Sequence, residues 1–234
     1  MAVAALLAAL SGAPSMTWRI VLTWAALAFA VVACAYALGR PRLLMKRADG
    51  SQPALAWFIL WPYFLLTRLS FLCYRLSHRN AVPVAEALPG IFFARRLTKR
   101  EMLESGVACS AVLDLAAEFP RAASNCVAYR TLPMLDGAVP TEAQLRDAVA
   151  WIDEHTRRGS VLVHCALGHG RTGSVVVAWL LLHGHVPDLK SAIAHLRARR
   201  STFGMSRAQV AFIERLATEW HIDPQGAKPD ERGG

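Results

Sequence analysis

Charged residues are scarce in this sequence: they make up 18% of its 234 residues, while apolar residues make up 54%. That balance is unusual for a soluble domain and indicates segments that lie in a membrane. Acidic residues are nearly missing from the first hundred positions, where 2 Asp and Glu stand against 12 Lys and Arg. No motif that reads DNA or RNA accompanies this basic surplus. We therefore expect membrane lipids with anionic headgroups as its partner, and no nucleic acid.

Cysteine is also sparse, and its five positions show no closely spaced pairs. The cysteines are Cys34, Cys73, Cys109, Cys126 and Cys165. Cys34 and Cys73 fall within apolar segments near the N-terminus. We therefore expect no disulfide framework, which favours a reducing compartment.

The N-terminal part begins with a short apolar run. Residues 1–17 are too short to cross a bilayer and lack the basic start of a signal peptide, so we assign them to an extension whose true start, Met1 or Met16, stays open. Residues 18–39 include 19 uncharged residues in succession, which is long enough for a transmembrane helix. Residues 40–52 form a basic loop, which the positive-inside rule places in the cytoplasm.

Residues 53–79 allow two interpretations. Their first 14 residues are apolar and aromatic, with Pro62 inside, whereas Arg68, Arg75 and Arg79 follow on a different side from a row of leucines. Such a helix lies in the membrane interface, or dips into the bilayer and returns; a second transmembrane span is the alternative. Because the arginines follow the segment, we expect it not to cross, so that the remainder of the chain is cytoplasmic.

Residues 82–220 alternate between predicted strands and helices. The strands are predicted at 91–93, 109–115, 127–132 and 160–164, and the helices at 98–106, 141–157, 172–183, 188–200 and 206–220. Capping boxes at Thr141 and Ser206 mark the starts of two helices. This alternation predicts an α/β fold with a mainly parallel sheet flanked by helices, which binds ligands at the carboxyl ends of its strands. Residues 221–234 are expected to form a flexible tail.

A tight loop within residues 160–174 joins a buried strand to a buried helix. Cys165 follows the strand at once, and Arg171 comes after five further residues. The loop would lie at a helix N-terminus, where free backbone N–H groups and the helix dipole favour an anion. Gly168 and Gly170 permit turns that make successive N–H groups converge on one point. The planar guanidinium of Arg171 suits a tetrahedral oxyanion.

Cys165 should be held as a thiolate, the nucleophilic form, by the same field. A thiolate and an arginine beside an anion cradle indicate attack on a phosphoester through a cysteinyl-phosphate intermediate, and Thr172 could hydrogen-bond the sulfur as it leaves. Three other interpretations are a structural cysteine beside a helix cap, a metal site of His164, Cys165 and His169, and a nucleotide loop. No second ligand cluster supports the metal, and the Lys-Ser/Thr ending of a nucleotide loop is missing.

The leaving group of a phosphoester needs a proton, which the cysteine loop cannot supply. A carboxylic acid on a mobile neighbouring loop is the usual donor. Asp136 is the candidate, because it lies between a predicted strand and helix in a Pro- and Gly-flanked loop, 29 residues before Cys165. Asp114, near the end of another strand, is the second candidate.

The stretch from His164 to Gly173 resembles the active-site loop of the protein tyrosine phosphatase superfamily, specifically its dual-specificity branch. The spacing from Asp136 to Cys165 is similar too, and the resemblance covers residues 85–218. It implies an α/β sandwich in which Cys165 is the nucleophile and Asp136 acts as acid and then base.

The resemblance also implies roles for the rest of the loop. Arg171 would clamp the phosphate, Thr172 would assist hydrolysis, and His164 would support the loop. The backbone cradle for the phosphate would consist of Ala166, Leu167, Gly168, His169 and Gly170. No metal or cofactor is implied.

Two loop residues depart from the family pattern. Leu167 stands where Ala is usual, and His169 stands where lipid-directed members often carry a basic residue. A neutral His169 would weaken the similarity to those members at pH 7. The sequence has no long insertion to deepen the pocket, and a shallow pocket suits phosphoserine, phosphothreonine or bulky lipid headgroups.

We therefore predict a membrane-anchored, cysteine-dependent phosphatase whose substrate is either a phosphoprotein or a phospholipid phosphate. A non-catalytic membrane adaptor that binds phosphorylated ligands is the alternative, which the presence of Cys165, Arg171 and a candidate acid disfavours. Sulfur transfer on a rhodanese-like cysteine loop is a third class, for which no paired domain is evident.

Overall fold

The computed structural model describes residues 16–122 and 126–220. The helices are α1 (Met16–Ala37), α2 (Ala54–Ser77), α3 (Lys99–Glu104), α4 (Glu142–Thr156), α5 (Gly170–Leu182), α6 (Leu189–Arg199) and α7 (Arg207–Glu219), with a 3-10 helix at Pro41–Leu44. The strands are β1 (Val84–Leu88), β2 (Ile91–Ala94), β3 (Ala111–Ala116), β4 (Ala128–Met134) and β5 (Val161–His164). The expectations for residues 1–15 and 221–234 lie outside the described residues.

The strands form one sheet in the order β1-β2-β5-β3-β4. Strands β2, β5, β3 and β4 are parallel to one another, and the edge strand β1 is antiparallel to β2. The predicted α/β fold with a mainly parallel sheet is therefore confirmed. The sequence pattern does not predict β1, because this edge strand is half-exposed and carries Glu86 in place of an apolar run. The turn at Gly90, whose φ is +84°, leads it back into β2.

The central strands bury both of their faces. Leu113 of β3 and Val163 of β5 contribute to the larger core beneath α4–α7, whereas Val112 and Leu162 join a smaller cluster on the other face. Successive side chains of a strand point to opposite faces, which explains this division. Helix α5 is buried along nearly its whole length, because it packs against α4, α6 and α7 as well as the sheet.

Cys109 and Cys126 form a disulfide, which was not predicted from the sequence because we expected no disulfide framework. Each cysteine lies two residues before a strand, Cys109 before β3 and Cys126 before β4. These strands are parallel, with Ala111 opposite Ala128, so that their starting points are adjacent. The sequence separation of 17 residues hides this proximity, which arises only when the sheet forms.

Helices α1 and α2 are each long and apolar enough to cross a membrane. Helix α2 continues through Pro62 without interruption. A hydrophobic cluster joins both helices to the α/β domain, and it includes Ala35 of α1, Leu60 of α2, Leu44 of the 3-10 helix and Leu135 beyond β4. The helix pair is thus packed onto the domain.

The C-terminal half of α2 also contacts the α/β domain directly. The rings of Phe71 and Phe119 have centroids 5.3 Å apart. Arg75 donates to Glu101 of α3 at 2.8 Å. Glu101 also accepts hydrogen bonds from Arg95 and from the backbone N–H of Thr98. Burial disfavours the charged form of Glu101, but these hydrogen bonds and the two arginines lower its pKa to about 2. The α2 arginine therefore attaches the helix to the domain.

The linker between α1 and α2 is bound to the same domain. The backbone N–H of Arg121 donates to the carbonyl oxygen of Gly50 at 2.7 Å. Lys46, which the sequence suggests to be part of a lipid-facing basic loop, is instead buried: its side chain is 1% exposed and its Nζ donates to Asp114 at 2.7 Å. A buried carboxylate is costly without a cation beside it. The pairing with Asp114 therefore explains why Lys46 is buried rather than exposed on the linker.

Candidate active site

The loop between β5 and α5 is shaped by two glycines. Gly168 has a φ of +68°, and a Cβ at this position would collide with the backbone of Ala94 in β2. A Cβ at Gly170 would collide with the side-chain amide of Gln209 in α7. Gly168 therefore lets the loop approach the sheet backbone closely, and the missing Cβ at Gly170 leaves room for the Gln209 side chain.

The sulfur of Cys165 lies inside this loop. The cysteine is 2% exposed, and its Sγ accepts a hydrogen bond from the backbone N–H of Gly168 at 3.2 Å. Helix α5 begins at Gly170, five residues after the sulfur. Its N-terminal N–H groups and dipole are therefore next to Cys165, an arrangement that stabilises negative charge on sulfur or on a bound oxyanion.

Arg171 is 1% exposed and holds two carboxylates. Its Nη1 and Nη2 donate to the two oxygens of Glu118, each at 2.7 Å, and Nη2 also donates to Asp136 Oδ1 at 2.7 Å. Nη1 donates in addition to the carbonyl oxygen of Met134 at 3.0 Å. These contacts fix the plane of the guanidinium, and the neighbouring negative charges raise the pKa of Arg171 despite its burial.

Two buried donors of this site have no hydrogen-bond partner among the described residues: Arg171 Nε and Thr172 Oγ1. Thr172 is 0% exposed. Buried polar atoms without a partner are rare in folded proteins and often mark the position of a ligand. Both lie on the first turn of α5, which fits an anion bound between the loop and the helix.

The two candidate acids have different surroundings. Asp136 lies in the loop after β4, with its side chain 59% exposed, and it reaches Arg171. Asp114 is 1% exposed and accepts hydrogen bonds from Lys46 and from the hydroxyl of Tyr129 at 2.8 Å. Because the Asp114 carboxylate is enclosed and paired, it is not available to a substrate, and Asp136 remains the candidate acid.

The two histidines of the loop have separate partners. His164 Nδ1 donates to the carbonyl oxygen of Cys165 at 3.1 Å, and burial lowers the pKa of His164. His169 shares a hydrogen bond with the hydroxyl of Tyr74 on α2 at 2.9 Å. Burial, followed by the charge of Arg200, lowers the pKa of His169 to about 4, so this residue is neutral at pH 7.

Glu118 and Arg200 belong to the site but were not predicted from the sequence. Arg200 is 1% exposed and donates to the carbonyl oxygens of Gly168 and Leu167 at 2.7 and 2.8 Å, which holds the loop from behind. Glu118 follows β3, the neighbour of β5, so its place at the carboxyl end of a parallel strand was a usable signal. Arg200 offers no such signal, since it reaches the loop from the end of α6.

A cavity of about 240 Å³ adjoins the loop. Its wall on one side comes from the two N-terminal helices, including Tyr36 of α1 and Leu66 and Phe71 of α2. The other side includes Asp136 and Ala166. The candidate site is therefore bounded partly by segments that lie outside the α/β domain.

The buried Cys165 and Arg171 lie at the two ends of a loop that joins the end of a parallel strand to a helix N-terminus, an arrangement that suits an oxyanion such as phosphate. The family model described as "Dual specificity phosphatase, catalytic domain" matches residues 91–217, more than half of the chain. The chain belongs to this family and is a dual-specificity protein tyrosine-type phosphatase. A search of curated protein sequences found no match.

Solved structures share the fold of the domain. The active form of Tk-PTP is 26% identical, with a TM-score of 0.51 over 58% of this chain and 97% of that chain. The human tyrosine phosphatase-like serine/threonine/tyrosine-interacting protein is 19% identical, with a TM-score of 0.51 over 58% of this chain and 97% of that chain. In each comparison nearly the whole of the other chain is matched, and about two fifths of this chain lies outside the alignment.

Proposed function

We propose that the protein is a membrane-anchored phosphatase that hydrolyses phosphomonoesters through a cysteinyl-phosphate intermediate. The observation that carries the proposal is the convergence of Cys165, Arg171 and Asp136 on one loop at the N-terminus of α5. Arg171 Nε and Thr172 Oγ1 are buried donors without a partner among the described residues, and they add capacity for an oxyanion. The backbone of Ala166–Gly170 provides further N–H donors.

In the first step, the thiolate of Cys165 attacks phosphorus, forming an S–P bond as the P–O bond to the leaving group breaks. Asp136 transfers its proton to the departing ester oxygen, so that an alcohol leaves. Arg171 and the loop N–H groups stabilise the charge on the transferring phosphoryl group. Glu118 keeps the guanidinium in the orientation that this step requires.

In the second step, Asp136 accepts a proton from water, and the resulting oxygen nucleophile attacks phosphorus. The S–P bond breaks, orthophosphate leaves, and the sulfur returns to the thiolate. A hydrogen bond from Thr172 to the sulfur would favour its departure. His164 supports the loop through the carbonyl oxygen of Cys165. The sum of the two steps is phosphomonoester plus water giving alcohol plus phosphate.

The membrane anchor in this proposal is α1, whose 22 residues span about 33 Å, enough for a bilayer core of about 30 Å. Helix α2 lies at the interface rather than crossing. Its C-terminal half is bonded to the domain, and the remaining residues 54–66, about 20 Å of helix, are too short to cross a bilayer core of about 30 Å. The linker before α2 is also bonded to the domain. If α2 crossed the membrane, the linker and the domain would lie on opposite sides, and these bonds could not form.

We further propose that the domain is cytoplasmic. Arg40, Arg42 and Arg47 are exposed on the linker, which by the positive-inside rule favours the cytoplasmic side, and the domain shares that side through its linker contacts. The disulfide between Cys109 and Cys126 removes the cysteine-based argument for a reducing compartment. A tag placed after residue 220 should react with membrane-impermeant reagents only after the membrane is permeabilised. Reaction of the tag in intact cells would contradict this topology.

The catalytic proposal is tested with p-nitrophenyl phosphate and the full-length protein in detergent micelles. Cys165→Ser should abolish turnover, and Asp136→Ala should lower kcat about 10²–10⁴-fold. Asp147→Ala, which removes a partly exposed carboxylate that pairs with Arg130 outside the site, is the matched control and should retain wild-type kcat. If the wild type binds phosphorylated ligands but shows no turnover, the protein is an adaptor instead.

A further inference from the structure

The cavity next to the loop is built by two different parts of the chain. Tyr63, Leu66, Thr67, Ser70 and Phe71 line it from α2. Their spacing of three and four residues places them on a single helical face. Opposite them, the domain contributes Glu118, Asp136 and Ala166, among others, from the candidate active site. A substrate that reaches the loop through this cavity therefore contacts α2.

The outer surface of α2 is apolar. Leu65, Leu69, Leu72 and Leu76, on a different side of the helix from the cavity, are 47–65% exposed. Leu66 belongs to both surfaces, because it is 55% exposed and also lines the cavity. An exposed apolar area of this kind marks a membrane or partner surface. Leu66 thus connects the cavity to a surface suited to lipid.

The position of Tyr36 indicates at which level of a bilayer the cavity lies. Tyr36 is the penultimate residue of α1, is 43% exposed and lines the cavity. Tyrosines at the end of a membrane-spanning helix lie at the level of lipid headgroups. With α1 as the anchor, the cavity mouth is at the height where the phosphate of a membrane lipid lies, whereas a phosphorylated protein side chain would have to be brought to that surface.

The cavity volume limits what enters. Its 240 Å³ is below the range of about 300–1,000 Å³ that is typical of pockets enclosing whole small molecules. The space holds a phosphate and a short polar headgroup. Acyl chains would have to stay outside, along the apolar surface of α1 and α2. This division matches a lipid whose polar end enters the cavity while its chains remain in the bilayer.

We propose that the substrate is a phospholipid with a terminal phosphomonoester, whose headgroup enters the cavity between α2 and the catalytic loop. This proposal rests on the proposed phosphatase activity and adds the substrate class and a binding surface made by α1 and α2. The reaction is the hydrolysis described above, with the lipid alcohol as leaving group.

The test compares three substrates with the full-length protein reconstituted in vesicles: phosphatidic acid in phosphatidylcholine vesicles, a phosphotyrosine peptide in solution and p-nitrophenyl phosphate. We expect kcat/KM for phosphatidic acid to exceed that for the peptide at least about tenfold. Greater turnover of the peptide than of the lipid would overturn the lipid proposal while leaving the phosphatase proposal intact. If the wild type hydrolyses none of the three substrates, p-nitrophenyl phosphate included, the phosphatase proposal itself is overturned.

A charge at the cavity mouth tests the surface itself. Leu66→Glu should lower the ratio of phosphatidic acid turnover to p-nitrophenyl phosphate turnover at least about tenfold, because a carboxylate repels the lipid phosphate and disfavours the acyl chains. Leu103→Glu is the matched control, since Leu103 is 64% exposed on α3 and outside the cavity lining; it should keep the wild-type ratio. If Leu66→Glu fails to fold, Leu66→Gln, which adds a polar group without a charge, should lower the same ratio by a smaller factor. An unchanged ratio in the Leu66 variant would contradict the proposed surface.

Discussion

Replacing Glu118 with Gln tests how the buried arginine is positioned. The two carboxylate oxygens of Glu118 hold Arg171 at 2.7 Å, and the side chains are 4% and 1% exposed. Breaking a buried ion pair costs about 3–5 kcal/mol, and a hydrogen bond to a charged group contributes about 1.5–3 kcal/mol. Gln keeps one acceptor, and Asp136 still faces Arg171. We therefore expect Glu118→Gln to cost about 2–3 kcal/mol.

That loss should appear in both stability and turnover. A loss of about 2–3 kcal/mol corresponds to a fall in Tm of about 4–12 °C for a chain of this size. If about 2 kcal/mol of it affects the transition state, kcat/KM for p-nitrophenyl phosphate falls about 30-fold. Thermal denaturation and steady-state kinetics measure the two quantities. Glu104→Gln, which removes an exposed partner of Arg100, is the control and should change neither. Wild-type Tm and kcat/KM in Glu118→Gln would refute the reasoning.

Three further predictions follow from contacts around the loop. Lys46→Met should lower Tm, because it leaves Asp114 buried without its cation, and adding Asp114→Asn should restore most of the loss; no recovery would contradict the pairing. Gly168→Ala should lower kcat/KM more than Gly184→Ala, since both have positive φ but a Cβ clashes only at the former; equal effects would refute this. The pKa of Glu101 is about 2 in the folded protein, so its charged side chain contributes its full stabilisation above about pH 4.5 and loses it as the pH falls towards 2. The difference in Tm between the wild type and Glu101→Gln should therefore shrink over that interval, and a constant difference would contradict the lowered pKa.

The architecture of the α/β domain was predictable because its signals are local. The capping boxes at Thr141 and Ser206 are present, and the helices they start run to Thr156 and Glu219. The apolar run before Cys165 forms a buried strand. The loop that carries Cys165 joins a strand that ends at His164 to a helix that begins at Gly170, and Asp136 accepts a hydrogen bond from Arg171.

The features that were not predictable depend on contacts between distant segments. The partners of Arg171 and Asp114, which are Glu118 and Lys46, are 53 and 68 residues away from them. No periodicity or motif records such a pairing, because it arises from tertiary packing alone. The arginines of α2 show the same limit: they suggest a lipid-facing surface, yet Arg75 is bonded to Glu101 in the domain. A charge in a sequence does not state which partner it will find.

The central claim is that phosphate passes through the sulfur of Cys165, and trapping of the intermediate tests it most directly. Full-length protein is mixed with p-nitrophenyl phosphate, quenched with acid within milliseconds to seconds, digested and analysed by mass spectrometry. We expect phosphate on the peptide that contains Cys165, none in Cys165→Ser, and slower decay in Asp136→Ala because that variant lacks the base of the second step. Sustained hydrolysis by Cys165→Ser, or phosphate on another residue, would contradict the account.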